Sequence, residues 1–210
     1  MFVARVARGL RSRSLAEIRF LLKVLIRNAL GLPNPMCTPD REALEQVILP
    51  AYARRDDVTS VLFVGCDWYT RHYEAMFAGK TYWTIDPDRW KRRFGARRHH
   101  VIGMEKIDER FAPASFDLIV CNGVFGWGLN QRANVERAFD GAFSRLRDGG
   151  HFVLGWNDVP ERRPLALGSL VSLGRFQSAP FPALSVAHHI ATPSTQHTFD
   201  FYVKPGAAAW

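Results

Sequence analysis

Between residues 58 and 155 short apolar runs alternate with stretches of helical spacing, and each run stops at residues that turn a chain. Residues 58–64 are apolar and β-branched and stop at Gly65. Thr81–Ile85 stops at Asp86-Pro87, residues 99–102 at Gly103, and residues 116–121 at Asn122-Gly123. Asp148-Gly149-Gly150 turns the chain into a fifth run at 151–155. The intervening residues 70–78 and 134–146 read as helices, the second with Val135, Ala138, Phe139, Ala142 and Leu146 on one side, and residues 88–94 as a short helix or turn. Strands apolar at nearly every position, alternating with helices, need a parallel sheet covered on both faces. After Trp156 the pattern loosens: 164–173 reads as helix, and 184–192 and 197–203 as two strands around Thr192-Pro193-Ser194. A terminal antiparallel pair makes a mixed sheet of seven strands.

The chain has 210 residues, enough for one full hydrophobic core and short for two. We divide it into a basic amphipathic leader (1–32), a linker and helix (33–57), the α/β domain (58–205) and a tail (206–210). The leader holds seven basic residues against Glu17, hence +6 of the net +8, so the body is nearly neutral. Leu15, Ile18, Leu22, Leu25 and Ala29 recur at helical spacing, widened by Leu21, Ile26 and Leu30 into the face expected to dock. Arg19, Lys23 and Arg27 form a basic stripe. Three readings stay open for this helix: a lid packed on the domain, contact with an anionic membrane surface, or contact with nucleic acid. The reading carried forward docks the apolar face and leaves residues 1–13 loose, with transient membrane contact. Glu17, Arg19, Lys23 and Arg27 interrupt the only apolar stretch long enough to span a bilayer or serve as a signal sequence. The expected setting is the cytoplasm, with peripheral contact at the inner face of a membrane as a further option. Cys37, Cys66 and Cys121 form no C-x-x-C pair and are expected as reduced thiols. The adjacent histidine pairs His99-His100 and His188-His189 point to opposite faces of a strand, so no metal is expected.

Open parallel sheets bind ligands beyond the carboxyl ends of their strands, near the switch in strand order. Gly65 there allows a tight turn and close backbone approach. A carboxylate ending the next strand, as Asp86 does, accepts both hydrogen bonds of a ribose diol.

Four segments carry a family resemblance. VLFVGC at 61–66 resembles the first motif of class I S-adenosylmethionine-dependent methyltransferases, and TIDP at 84–87 is similar to the second. SFDLIV at 115–120 resembles the fourth-strand motif, and LRDGGHFVL at 146–154 the entry to the fifth strand. The resemblance covers roughly residues 58–156 and implies a Rossmann-like fold with S-adenosylmethionine as cofactor. It implies that Gly65, Cys66 and Asp67 flank the methionine moiety and that Asp86, beside Pro87, holds the ribose. Met104 and Glu105 would lie near the adenine, and Asn122 and Gly123 would face the cofactor. The sequence departs from the family where Asp67 and Tyr69 occupy two places usually held by glycine, and where Met104 stands at a common aspartate position.

Methyl transfer needs alignment of nucleophile, methyl and sulfur more than acid–base groups. An oxygen acceptor gains from a base; the candidates are His72, alternatively a helix-packed or solvated histidine, and Asp158, alternatively a turn cap. Trp68, Tyr69, Phe125, Trp127, Asn130, Trp156 and Asn157 are expected to shape the acceptor pocket, with core packing the competing reading for the aromatics. Aromatic faces with amide partners suit a sugar ring or planar metabolite. A neutral body, and no Pro-Pro-aromatic run after the fourth strand, argue against nucleic acid. The reading is a methyltransferase for an oxygen or nitrogen of a small-molecule or glycan-type acceptor, of unknown oligomeric state. Its rivals are a methyltransferase-fold scaffold without turnover, and a nucleotide-sugar or dinucleotide enzyme, which the missing G-x-G-x-x-G disfavours.

Overall fold

The computed structural model describes residues 14–34 and 36–206. Its first helix, α1 (Leu15–Ala29), begins at a capping box: Ser14 Oγ accepts from the Glu17 amide, and the Glu17 carboxylate accepts from the Ser14 amide. The second, α2, runs from Pro39 through a π-helical stretch at Ala43–Ile48 to Ala53. Thr38 precedes Pro39, whose fixed φ suits a first helical turn.

Eight strands follow: β1 (Ser60–Val64), β2 (Thr81–Ile85), β3 (Arg98–His100), β4 (Phe116–Asn122), β5 (Leu146–Asn157), β6 (Gln177–Ser178), β7 (His188–Thr192) and β8 (His197–Val203). Their order is β3-β2-β1-β4-β5-β8-β6, with β7 also on β8. All pairs from β3 to β5 are parallel; β8 is antiparallel to β5, β6 and β7. The expected terminal hairpin is therefore present, and β6 is one short strand more than the seven foreseen. Successive β1 residues face opposite ways. Leu62 and Val64 join the core under α4 (Arg132–Arg145), with Ile119, Phe139 and Phe152. Val61 and Phe63 join the core under α2, with Leu44, Ile48 and Tyr52. Burial of both faces explains the unbroken apolar runs. Each fully buried Val or Phe of α4 contributes roughly 1.5–3 kcal/mol.

Several elements differ from expectation. The helix over 70–78 shrinks to α3 (Tyr73–Met76) because the Thr70 hydroxyl, which bonds the Asp67 and Phe94 backbone, holds the preceding residues in turns. Residues 164–173 form no helix but two 3-10 turns, Leu167–Ser169 and Leu173–Arg175. Strand β5 starts five residues early, with a bulge opposite the Phe116–Leu118 stretch and Gly149 at φ +75°. The face of α1 is also corrected. Val24 is buried against Cys66 and Phe94 and Leu21 is half-buried; Phe20 meets Trp68 edge-on at 5.1 Å but stays exposed, as do Leu15, Leu22, Leu25, Ile26 and Leu30. Residues 1–13, expected loose, and most of the 206–210 tail lie outside the described residues. No helix among the described residues is long and apolar enough to cross a membrane.

Candidate active site

Parallel register brings the strand ends to one level. Val64 pairs with Ile85 and with Cys121, and Asn122 with Gly155. Gly65, Asp86, Asn122 and Gly155 thus cluster where the order reverses between β1 and β4. A cleft of about 760 Å³ opens there. Gly65 has φ +88° and approaches Val124 so closely that a Cβ would stand 2.8 Å from its methyl, so only glycine fits this turn.

The Asp86 carboxylate is buried and fixed by two backbone donors. Its Oδ2 accepts from the Cys66 amide and its Oδ1 from the Asp88 amide, each at 2.8 Å. Each oxygen keeps a further lone pair for a ligand hydroxyl. Asp67 also lines the cleft, with Lys91 Nζ 3.2 Å from its carboxylate. Burial, helped by Asp86, pushes the Cys66 thiol up to about 12, so it stays protonated and is no nucleophile.

Among the buried side-chain nitrogens of the cleft-lining residues, Asn122 Nδ2 and Arg41 Nε have no hydrogen-bond partner among the described residues. The Arg41 guanidinium, brought by α2, gives Nη2 to the Tyr69 hydroxyl at 2.9 Å and Nη1 to the Tyr73 hydroxyl at 3.4 Å; its nearest acid, Asp40, is 3.8 Å away. The register of β8 on β5 delivers His197 beside Asn157, and His197 Nε2 lies 3.1 Å from Asn122 Oδ1. An amide oxygen only accepts, so His197 donates from Nε2 and its neutral ring keeps a lone pair on Nδ1. Burial holds the His197 pKa down at about 4, with Asp40 opposing and Arg41 reinforcing. The mouth is framed by Trp127, whose Nε1 donates to Asn157 Oδ1 at 3.1 Å and whose ring carries Arg162 at 3.5 Å.

A parallel sheet ordered β3-β2-β1-β4-β5 with an antiparallel β8 beyond it has solved counterparts. The N-methyltransferase NodS from Bradyrhizobium japonicum WM9 has a TM-score of 0.59 at 17% identity, over 80% of this chain and 97% of that one. The chain has the class I methyltransferase fold. A TehB-like S-adenosylmethionine-dependent methyltransferase from Corynebacterium glutamicum matches with a TM-score of 0.54 at 16% identity, over 89% of this chain and 96% of that one. NodS in complex with S-adenosyl-L-homocysteine matches with a TM-score of 0.56 at 18% identity, over 79% and 87%. No protein-family model matches the sequence. No curated protein sequence matches it either.

On this methyltransferase fold, Gly65, Cys66, Asp67, Asp86, Pro87, Met104, Glu105, Asn122 and Gly123 all line the cleft. Of the expected acceptor residues, Tyr69, Trp127 and Asn157 do so too. The others do not. Trp68 sits under α1; Phe125 is buried in the core; Trp156 is buried with Nε1 on Asp200 at 2.7 Å; Asn130 is exposed outside the cleft. The two candidate bases are likewise misplaced. His72 points to α2, 3.7 Å from the Glu45 carboxylate, and Asp158 pairs with Arg163 at 2.8 Å. Sequence reasoning missed Arg41 and His197. A signal existed for His197: a hairpin antiparallel to β5 puts the first residue of its last strand at the ligand end of the sheet. Arg41, at the exposed-looking start of an amphipathic helix, carried none.

Proposed function

We propose that the chain is an S-adenosylmethionine-dependent methyltransferase acting on an oxygen or nitrogen of a small-molecule or glycan-type acceptor. The observation that carries this reading is the buried Asp86 carboxylate, pinned by two amides at the crevice with lone pairs to spare. Two further cleft residues fit the same cofactor. The Arg41 guanidinium, its nearest acid 3.8 Å away, suits the methionine carboxylate, and Asn122 lines the cleft beside Gly123. In this pose Asp86 binds the ribose, Gly65 and Asp67 flank the methionine chain, and Met104 and Glu105 border the adenine.

When bound, S-adenosylmethionine supplies an electrophilic methyl that an acceptor lone pair displaces from sulfur. The chain's own part is to orient the acceptor and take its proton. Tyr69, Trp127 and Asn157 offer flat faces and an amide for the acceptor. His197 is the histidine that the cleft contains, uncharged at neutral pH, so it does not repel a sulfonium and can hold the acceptor's proton at Nδ1. The NodS structure with S-adenosyl-L-homocysteine supports the cofactor, and NodS being an N-methyltransferase supports the nitrogen option for the acceptor.

Calorimetric titration of S-adenosylmethionine tests the reading. Wild type is expected to bind, and Asp86→Ala to bind weaker by about 1–3 kcal/mol, the range for hydrogen bonds to a charged group. Absence of wild-type binding refutes the proposal and favours a scaffold; equal binding by the variant refutes the pose.

A further inference from the structure

Helix α1 is amphipathic on the wrong side for a helix that only packs. Successive helical side chains turn by about 100°, which puts Leu15, Leu22 and Ile26 within about 40° of one another and Val24 half a turn away. Val24 is the buried one. The opposite face shows Leu15 at 81%, Leu22 at 54%, Ile26 at 59% and Leu30 at 68% exposure. Soluble domains rarely turn a row of large aliphatics to water without a partner for it. By the same rotation Arg19 lies within this face and Lys23 at its edge, and the one acid of the helix, Glu17, lies on the docked side where it caps Ser14.

A second basic surface lies against the docked side of the helix. Phe94, which Val24 packs on, closes a short 3-10 turn (Lys91–Phe94) whose Arg92 and Arg93, with the nearby Arg89, are exposed. Trp90 among them is 48% exposed, with the Arg89 and Arg93 guanidinium groups over its ring at 5.3 and 5.5 Å. Exposed indole beside basic side chains, on a turn beneath a helix whose outer face carries aliphatics and cations together, matches the chemistry of an anionic bilayer surface: acyl chains take the aliphatics, the headgroup layer the indole, and lipid phosphates the cations.

We propose that α1 and the Arg89–Arg93 turn together form a peripheral binding surface for anionic lipid membranes. Charge decides against the other occupants. Residues 1–13 carry four arginines and no acid, so folding them over α1 would set them against Arg19 and Lys23. A second copy would bring like cations together in the same way. Nucleic acid would use the arginines and leave the leucine face in water. The surface meets the cleft through one loop, since Cys66 and Trp68 pack on Val24 and Phe20 while Cys66 and Tyr69 line the cleft.

The test is co-sedimentation of the full chain with vesicles of phosphatidylcholine alone or with added phosphatidylglycerol. Wild type is expected to pellet with the anionic vesicles and to be released by salt. Leu22→Ser/Ile26→Ser is expected to weaken binding on the order of tenfold or more. Arg92→Glu/Arg93→Glu is expected to weaken it roughly fivefold or more per residue. All four positions are exposed, so an unchanged melting temperature and circular dichroism spectrum confirm that the variants fold. Failure of wild type to pellet, or equal pelleting by the leucine-face variant, overturns the proposal. So does a concentration-dependent dimer abolished by Leu22→Ser/Ile26→Ser, which assigns the face to a second copy. Tighter retention of wild type by single-stranded RNA than by anionic vesicles, unaffected by the leucine-face variant, also overturns it.

Discussion

Acidification offers a direct probe of the way the cleft is built. His197 is buried with its Nε2–H on Asn122 and its pKa held down at about 4 by burial. In the unfolded chain the same ring titrates near its ordinary value of about 6.5. Between these values the unfolded state binds the extra proton, so the neutral ring's contribution is fully present above about pH 6.5 and is lost as pH falls through about 4. Integrating the linkage relation with these two values predicts a loss of about 2 kcal/mol on going from about pH 7 to about pH 5 from this residue alone. His151, half-buried and held at about 4 by the same cause, adds to the total, so the experiment needs a subtraction. His197→Gln keeps an amide donor for Asn122 and removes the titration. Urea unfolding of both proteins across that range, at constant ionic strength, should show a wild-type stability curve falling more steeply than the variant's by about that amount. Parallel curves refute the reasoning: His197 would then titrate normally, its burial would carry no penalty for the proton, and the neutral-base role would lose its footing.

Three further outcomes follow from the same geometry. Gly155→Ala would push a methyl into Asn122 Oδ1 and within 2.8 Å of the Phe199 ring, so we expect about 1–3 kcal/mol of lost stability in urea unfolding. Wild-type stability for that variant contradicts the packing. Asp117→Ala leaves the Thr59 and Ser60 amides, which its carboxylate accepts from at 2.6 and 2.9 Å, without their partner, and removes an ion pair with Arg147; thermal melting should show a loss of about 3 kcal/mol. Arg41→Gln should weaken S-adenosylmethionine binding roughly tenfold by calorimetry while sparing binding of adenosine, which lacks the carboxylate; an equal loss for both ligands places Arg41 elsewhere.

Much of the site was legible because its signals are local. A turn that needs φ near +88° writes itself as Gly65, and a strand end that needs a fixed carboxylate writes itself as Asp86. The runs at β1 and β4 read as strands because both faces of the sheet are covered, a demand that falls on every residue in turn. The aromatic segments read less well. Phe125 and Trp156 carry the composition of a pocket wall, yet one fills the core and the other spends its N–H on Asp200. Composition does not say which way a ring points.

The sequence by itself determined the alternation of strands and helices over residues 58–155, the parallel core, the terminal hairpin and the glycine and acid at the strand ends, since each follows from the period of buried residues or from backbone constraint within a few positions. The tertiary structure alone decided which titratable groups meet. His197 reaches Asn122 across 75 positions because β8 pairs antiparallel to β5 in one register, and a slip of one residue would turn the ring to the other face. Arg41 reaches Tyr69 across 28 positions because α2 crosses the sheet end. The face of α1 was decided in the same way. Both sides of that helix offer apolar residues, so its own pattern is satisfied twice, and only the pocket made by Cys66, Trp68 and Phe94 selects Val24 and leaves the leucines outside.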